Sequence, residues 1–282
     1  MKIMISGSHG LVGSALHRYF SQQGSEVLQL GRDLSETLDF SNVDAVIHLA
    51  GENISKGRWT KSKKQRIRES RVDGTSSLAA QLAAASVKPK VFVSASAIGY
   101  YGNRGDEKLN EDSKAGRGFL SEVCQQWEAA AEPTIEVGLR TVFLRTGIVL
   151  SDQGGALEKM LRPFKFGVGG IIGNGKQYMS WISISDMVRI IDFLIRHENL
   201  IGAFNVVSPE PVTNHKFTKA LGNVLKRPTI LPLPAVAARL IFGEMAEALL
   251  LSSARVFPKR LMEAGYEFKH ADLESALEDI LK

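Results

Sequence analysis

The first twenty residues, MKIMISGSHGLVGSALHRYF, place Gly7, Gly10 and Gly13 in the order G-x-x-G-x-x-G. A short apolar run with β-branched residues, KIMIS, stands before them and reads as a buried strand. Leu11, Val12, Ala15, Leu16 and Phe20 follow at helical spacing. Strand, glycine turn and helix in that order make a seat for a pyrophosphate. The ligand meets backbone N–H groups, here those around Leu11 and Val12, and the positive end of a helix dipole. Gly7 permits the tight turn, Gly10 lets the backbone approach the phosphates, and Gly13 lets the helix pack close to the strand. Glycines punctuate many loops, so the position of the motif at residue 7 carries the reading.

The rest of the first half fits that start. EVLQL (26–30), AVIHLA (45–50), KVFVSAS (90–96) and TVFLRTGIVL (141–150) read as further strands, with helical stretches over roughly 60–85 and 118–131. Strands alternating with helices imply crossover connections and a parallel sheet covered on both faces. The expected fold is a Rossmann-type, doubly wound α/β sheet with a small mixed C-terminal lobe. Residues 1–150, with about 181–205, form the nucleotide-binding unit; about 151–180 and 206–282 form the lobe. In that lobe GVGGIIGNGK (167–176) reads as a loop, ISDMVRIIDFLI as a helix capped by Ser185, and VTNHKFTKALGNVL as a helix starting at Thr213 or Asn214.

The second strand should end where a dinucleotide's adenosine ribose is read, and the sequence there is LGRDL. Asp33 would accept from a ribose 2′-OH, but Arg32 comes first, and a guanidinium suits a 2′-phosphate. NADP is therefore the expected cofactor, with NAD the alternative. The third strand runs out into Leu49, Ala50, Gly51, Glu52 and Asn53, which should line the ligand crevice.

Composition narrows the remaining classes. The 282 residues are 44% hydrophobic and 23% charged, and no apolar run approaches the ~20 residues that span a bilayer. The N-terminus lacks a signal-peptide layout, so a cytoplasmic location is expected. With one cysteine, Cys124, there is no internal disulfide and no cysteine-based metal cluster, and no metal spacing is found elsewhere. The net charge of +5 is partly local: Lys56 to Arg71 carries eight basic residues and one acidic one. Such a run is a solvated helix face or a field for ligand phosphates. Without zinc-finger spacing or an RNA-binding aromatic motif, nucleic acid ranks last as a partner. The oligomeric state is left open.

Several stretches together resemble the short-chain dehydrogenase/reductase superfamily in its extended, epimerase-like branch. They are GSHGLVG, VIHLAGEN, SRVDGTSSLAAQL, VFVSASAIGYYG and SWISISDM. HLAGENI, SAIGYYG, the stretch from RTGIVL to YMSWI and the 230–280 tail are similar to an atypical subgroup of epimerase-family proteins with its own C-terminal domain. The resemblance implies NAD(P) binding and a small-molecule substrate, with sugar nucleotides among the candidates. It places Arg71 against the cofactor, and Ser94 with the SASAIGYYGN stretch in the pocket above the nicotinamide. It also implies that Ser96 holds a substrate oxygen.

The superfamily's proton transfer uses a tyrosine and a lysine four residues later, the lysine lowering the tyrosine's pKa. The corresponding stretch here, GFLSEVCQQWE (118–128), contains neither. Taking Phe119 as the tyrosine position puts Val123 at the lysine position; taking Leu120 puts Cys124 there. Tyr100 and Tyr101 become the acid/base candidates by default, weighed against plain packing at a strand end. The chain is thus either an oxidoreductase or epimerase without the usual pair, or a non-catalytic NADP(H)-binding regulator. His48 inside AVIHLA is expected in the core, Cys124 inert, Arg145 and Thr146 near the pocket, and Trp181 and Asp186 shaping the second lobe.

Overall fold

A computed structural model of the chain describes residues 1–31 and 37–282. The first half alternates as read: β1 (Lys2–Ser6), α1 (Leu11–Gln22), β2 (Glu26–Leu30), β3 (Ala45–His48), α2 (Lys61–Ala84), β4 (Val91–Ala97), β5 (Lys108–Leu109), α3 (Phe119–Ala129), α4 (Glu132–Glu136), β6 (Thr141–Thr146) and β7 (Ile148–Leu150). The second half comprises α5 (Gly155–Lys165), β8 (Tyr178–Met179), β9 (Trp181–Ser183), α6 (Ile184–Arg196), β10 (Gly202–Val206), β11 (Val212–Thr213), α7 (Asn214–Leu225), α8 (Ala235–Phe242), β12 (Arg255–Val256), α9 (Lys259–Glu263) and α10 (Leu273–Leu281). Among the described residues no helix is long and apolar enough to cross a membrane.

Six strands form the central sheet in the order β10-β6-β4-β3-β1-β2, every neighbour parallel. β1 has β2 on one side and β3 on the other, so the strand order reverses there. The chain then leaves β1 and β3 in opposite directions and a crevice opens at their carboxyl ends. Apolar side chains clothe both faces of the sheet. α1 and α6 cover one face through Leu16, Phe20, Ile190, Ile191 and Leu194. Leu78 and Leu82 of α2, with Ala131 and Leu139, cover the other.

The expected strand over 141–150 breaks in two at Gly147. A Cβ there would lie 2.5 Å from the Ser180 carbonyl oxygen and 2.8 Å from Val207. The chain squeezes between these groups, leaves the central sheet and pairs β7 with β9. That turn founds a second core, in which Leu150 and Trp181 pack with Leu157, Leu161, Phe164, Phe217, Leu221 and Leu273. The tail does not stay in that lobe, because Leu261 and Tyr266 return to the first core. The cap of α6 is Ser183 rather than Ser185, its side chain accepting from the Asp186 N–H. β9 runs straight into the helix, so the residue that still holds extended backbone is Ser183.

Asp186 fastens the returning tail. It is fully buried and accepts from the Tyr266 hydroxyl and from the backbone N–H groups of Lys269 and His270, each at 2.9 Å. Burial of the Tyr266 phenol, and after it the Asp186 charge and hydrogen bond, hold that phenol far above its ordinary pKa. Asp186→Ala would leave those donors buried without an acceptor. The expected loss is about 3 kcal/mol or more of unfolding free energy in urea, with a much smaller loss for Asp186→Asn. Equal stability of the alanine variant would show that the carboxylate does not hold the tail.

Candidate functional site

The crevice floor is built by one hydroxyl. The Ser6 Oγ, at the end of β1, lies 2.6 Å from His48 Nδ1 at the end of β3, and accepts from the N–H groups of Leu49 and Ala50 at 3.2 and 3.4 Å. An oxygen that accepts twice has its one proton left for the histidine, so Nδ1 accepts and Nε2 carries the hydrogen. Nε2 has no partner among the described residues, and His48 is 1% exposed. Burial therefore depresses its pKa to about 4. His48 is a core residue, as expected, but one that ties the two strand ends together.

The glycine loop sits on that floor. Gly7 has φ +72°, and a Cβ on it would lie 2.9 Å from the Ala50 nitrogen. A Cβ on Gly13 would lie 2.2 Å from the Gly7 carbonyl oxygen, so only glycine lets α1 dock so closely. Gly10 is the first residue before α1 and makes no side-chain cap, and the first turn holds no acidic residue. The leading N–H groups of α1, on Leu11, Val12 and Gly13, thus end in an uncapped turn of positive potential.

Opposite lies the loop leaving β3. The Arg71 guanidinium rests flat against Gly51, where a Cβ would be 3.2 Å from its Cζ. It donates to the carbonyl oxygens of Glu52 and Ile67, both at 3.1 Å, and covers the Trp127 ring at 5.0 Å. Lys63 reaches Glu52 and the Asn53 carbonyl from the same helix. The basic run therefore splits by helix face. Lys63 and Arg71 point inward and pin the loop; Arg58 and Lys64 hold the carbonyl oxygens of Leu240 and Ile241 and the Glu244 carboxylate; Lys61, Arg66 and Arg68 face solvent. Arg32 and Asp33 lie outside the described residues.

Beyond β4 the side chains expected to move a proton are engaged elsewhere. The Ser96 Oγ is buried and donates to Glu128 at 2.7 Å. Glu128 also takes a two-pronged contact from Arg145, at 2.9 and 2.8 Å, and this pair is almost wholly buried. Arg145 faces Ser96 across the β4–β6 ladder. It donates from its third prong to the Tyr101 hydroxyl at 3.1 Å and lies 3.5 Å below the Tyr100 ring. Tyr101 is fully buried, donates to Asn205 at 2.7 Å, and is pushed up to about 12 chiefly by burial. Tyr101, named with Tyr100 as an acid/base candidate, thus has its hydroxyl enclosed between Asn205 and Arg145. Ser94 is likewise fully buried inside the strand. Tyr100 remains half-buried at the strand end.

The helix that should bear the tyrosine and lysine presents an apolar face. Leu120 and the Cys124 sulfur lie 3.4 and 3.6 Å from where a Cβ on Gly99 would be. Burial pushes the Cys124 thiol up to about 12, as an inert thiol requires. Arg145 and Thr146 lie at the end of β6, the sheet edge where the sequence puts them near the pocket. Arg145 spends its fork on Glu128 and Tyr101, and Thr146 donates to the Leu144 carbonyl. Neither the Ser96–Glu128 bond nor the Glu128–Arg145 pair was visible in the sequence, where the partners are 32 and 17 residues apart. Among the described residues no cluster of His, Cys, Asp and Glu could hold a metal ion.

Comparison with known proteins places this geometry in context. The model of the NAD dependent epimerase/dehydratase family matches residues 3–208, and that of a domain of unknown function, DUF1731, matches residues 233–280. The chain is 41% identical over 290 residues to the epimerase family protein ML0860 of Mycobacterium leprae, covering 98% of this chain and 94% of that one. The crystal structure of human epimerase family protein SDR39U1, isoform 2, with NADPH superposes with a TM-score of 0.93 at 31% identity, over 99% of both chains. A nucleoside-diphosphate sugar epimerase of Corynebacterium glutamicum superposes at 0.80 with 34% identity, over 100% of this chain and 58% of that one.

The buried neutral His48 sets a pH dependence. Its folded pKa of about 4 lies below the ordinary value of 6.5, so the unfolded chain binds the proton first as pH falls. Stability should drop between about pH 6.5 and pH 4 and level off below that, by about 3 kcal/mol from this residue. His48→Gln should flatten that part of the curve when unfolding is followed by circular dichroism. An identical slope in the variant would show that His48 is already charged in the fold.

Proposed function

The chain belongs to the NAD dependent epimerase/dehydratase family, and from that premise we propose that its crevice binds NADPH for an oxidoreductase or epimerase reaction on a small hydroxyl or carbonyl compound. The observation that carries this reading is the uncapped first turn of α1 above a loop that only glycine can form. A dinucleotide's pyrophosphate fits there because Gly10 offers bare backbone and the turn offers N–H groups with no acidic residue to repel an anion. When bound, the nicotinamide supplies or takes the hydride.

Gly7, Gly10, Leu11, Val12 and Gly13 would line the pyrophosphate. Leu49, Ala50 and Gly51 would form the opposite wall, held by Arg71. Arg32 would meet the 2′-phosphate beyond β2. Residues 1–150 and about 181–205 would carry the cofactor, and the remaining lobe the substrate side, in the cytoplasm. The Corynebacterium relative's name favours a sugar nucleotide as the substrate class. Tyr100 is the candidate for handling a substrate proton, since its ring is steadied by Arg145 while its hydroxyl makes no hydrogen bond among the described residues.

One observation favours a second reading, a non-catalytic NADP(H)-binding regulator. The Ser96 proton is committed to Glu128, so the hydroxyl that should hold a substrate oxygen is occupied within the fold. Following NADPH oxidation at 340 nm with a panel of carbonyl and sugar-nucleotide substrates separates the two.

Two substitutions test the cofactor assignment. Gly10→Val should abolish NADPH binding, measured by nucleotide fluorescence, with the circular dichroism of the fold retained, because its side chain projects over the phosphate seat. A charge-assisted hydrogen bond contributes on the order of 1.5–3 kcal/mol, so Arg32 implies a preference for NADPH over NADH of roughly ten- to a hundredfold. Arg32→Ala should erase that preference. Equal affinities in the wild type would show that Arg32 does not read the 2′-phosphate.

A further inference from the structure

We infer that the segment from Ser151 to Lys159 is a strap across the cofactor crevice, latched on both banks, and that its opening gates dinucleotide entry and exit. This rests on the NADPH-binding reading above and adds the element that controls exchange at that site.

The strap leaves β7, turns at Gly154 and Gly155, and begins α5 directly over the glycine loop. Cβ atoms on those two glycines would lie 3.4 and 3.0 Å from the methyl groups of Leu11. On the α1 bank, the Arg18 guanidinium donates to Gln153 Oε1 at 3.3 and 3.4 Å. On the other bank, Lys159 Nζ donates to the Ser55 carbonyl oxygen at 3.0 Å and to its hydroxyl at 2.7 Å. Those banks flank the crevice: Arg18 lies on α1 two turns on from the glycine loop, and Ser55 on the loop leaving β3. Under the strap runs a cavity of about 410 Å³, walled by His9, Leu11 and Ser14 on one side and Asn53 on the other, and roofed by Ser151 to Gly155.

A dinucleotide laid along the glycine loop and past Asn53 must pass beneath that roof. The roof can move because it is held weakly. The latch side chains of Arg18, Gln153 and Lys159 are exposed, and such contacts exchange readily with water. Gly155, at φ +79°, supplies a pivot where the chain enters α5. The body of α5 is different: Leu157, Leu161 and Phe164 lie in the second core, so the helix moves with the C-terminal lobe and does not unwind. The latches join protein to protein and use no group of the glycine loop. They therefore slow the entering and the leaving ligand alike, which is the signature of a gate and not of a binding contact.

The experiment is stopped-flow fluorescence of NADPH association, and of its displacement by excess NADP+, with wild type and the Gln153→Ala/Lys159→Ala double variant. The expected result is a rise of about three- to tenfold in both rate constants, with Kd unchanged within about twofold. Lys159→Arg, which keeps a donor within reach of Ser55, should stay close to wild type. Unchanged rates in the double variant would overturn the strap. So would a weakened Kd carried by dissociation alone, which would make Gln153 and Lys159 ordinary ligand contacts. Wild-type protein that binds no NADPH would instead sink the cofactor reading itself.

Discussion

The approach of Gly13 to Gly7 is the contact on which the rest of the site depends. A single added carbon at Gly13 would sit 2.2 Å from the Gly7 carbonyl oxygen, so α1 can rest on the first loop only because that carbon is missing. This docking aims the helix's first N–H groups at the crevice. The loop in turn is held at its other end by Ser6, whose hydroxyl gathers His48, Leu49 and Ala50. Sheet topology supplies the gap, glycine supplies the close approach, and a buried serine–histidine bond fixes the two walls relative to one another. The N–H groups of that turn are presented without any side chain having to move to expose the backbone, as the proposed phosphate seat requires.

The same rigidity explains what became of the proton-handling groups. Where the superfamily places a cation on the helix after the fourth strand, this chain places one on β6. Arg145 is anchored by Glu128, steadies Tyr101 and stacks under Tyr100. A buried pair of this kind is costly to desolvate and is retained where it fixes a unique arrangement. Here it cross-links β4, β6 and α3 around Ser96. The pocket side of the fourth strand is thus locked, and Tyr100 is the one hydroxyl of the opening candidates left at its edge.

Much of the fold was legible because its signals are local. Gly7, Gly10 and Gly13 fall between a strand run and a helical run, and the apolar runs at 45–48 and 91–97 are buried strands because helices cover both sheet faces. The misreadings at Gly147 and Ser96 have their cause in distant partners. Gly147 breaks a continuous-looking strand because Ser180 and Val207 crowd it from elsewhere in the chain. Ser185 lost the cap of α6 because β9 runs directly into Ser183. Ser96 matched the expected serine by position, yet its hydroxyl was claimed by Glu128, and no local pattern reports that. The basic run at 56–71, read as a solvated helix face or a field for phosphates, is divided by helical periodicity among the loop leaving β3, the C-terminal lobe and solvent.

The central claim is that this crevice selects a phosphorylated nicotinamide dinucleotide. Native mass spectrometry of the purified chain, mixed with equal concentrations of NADPH and NADH, tests it most directly. The expected spectrum shows one dinucleotide per chain, with the NADPH adduct dominant. An equal mixture of the two adducts, or a protein peak that carries neither, would contradict it.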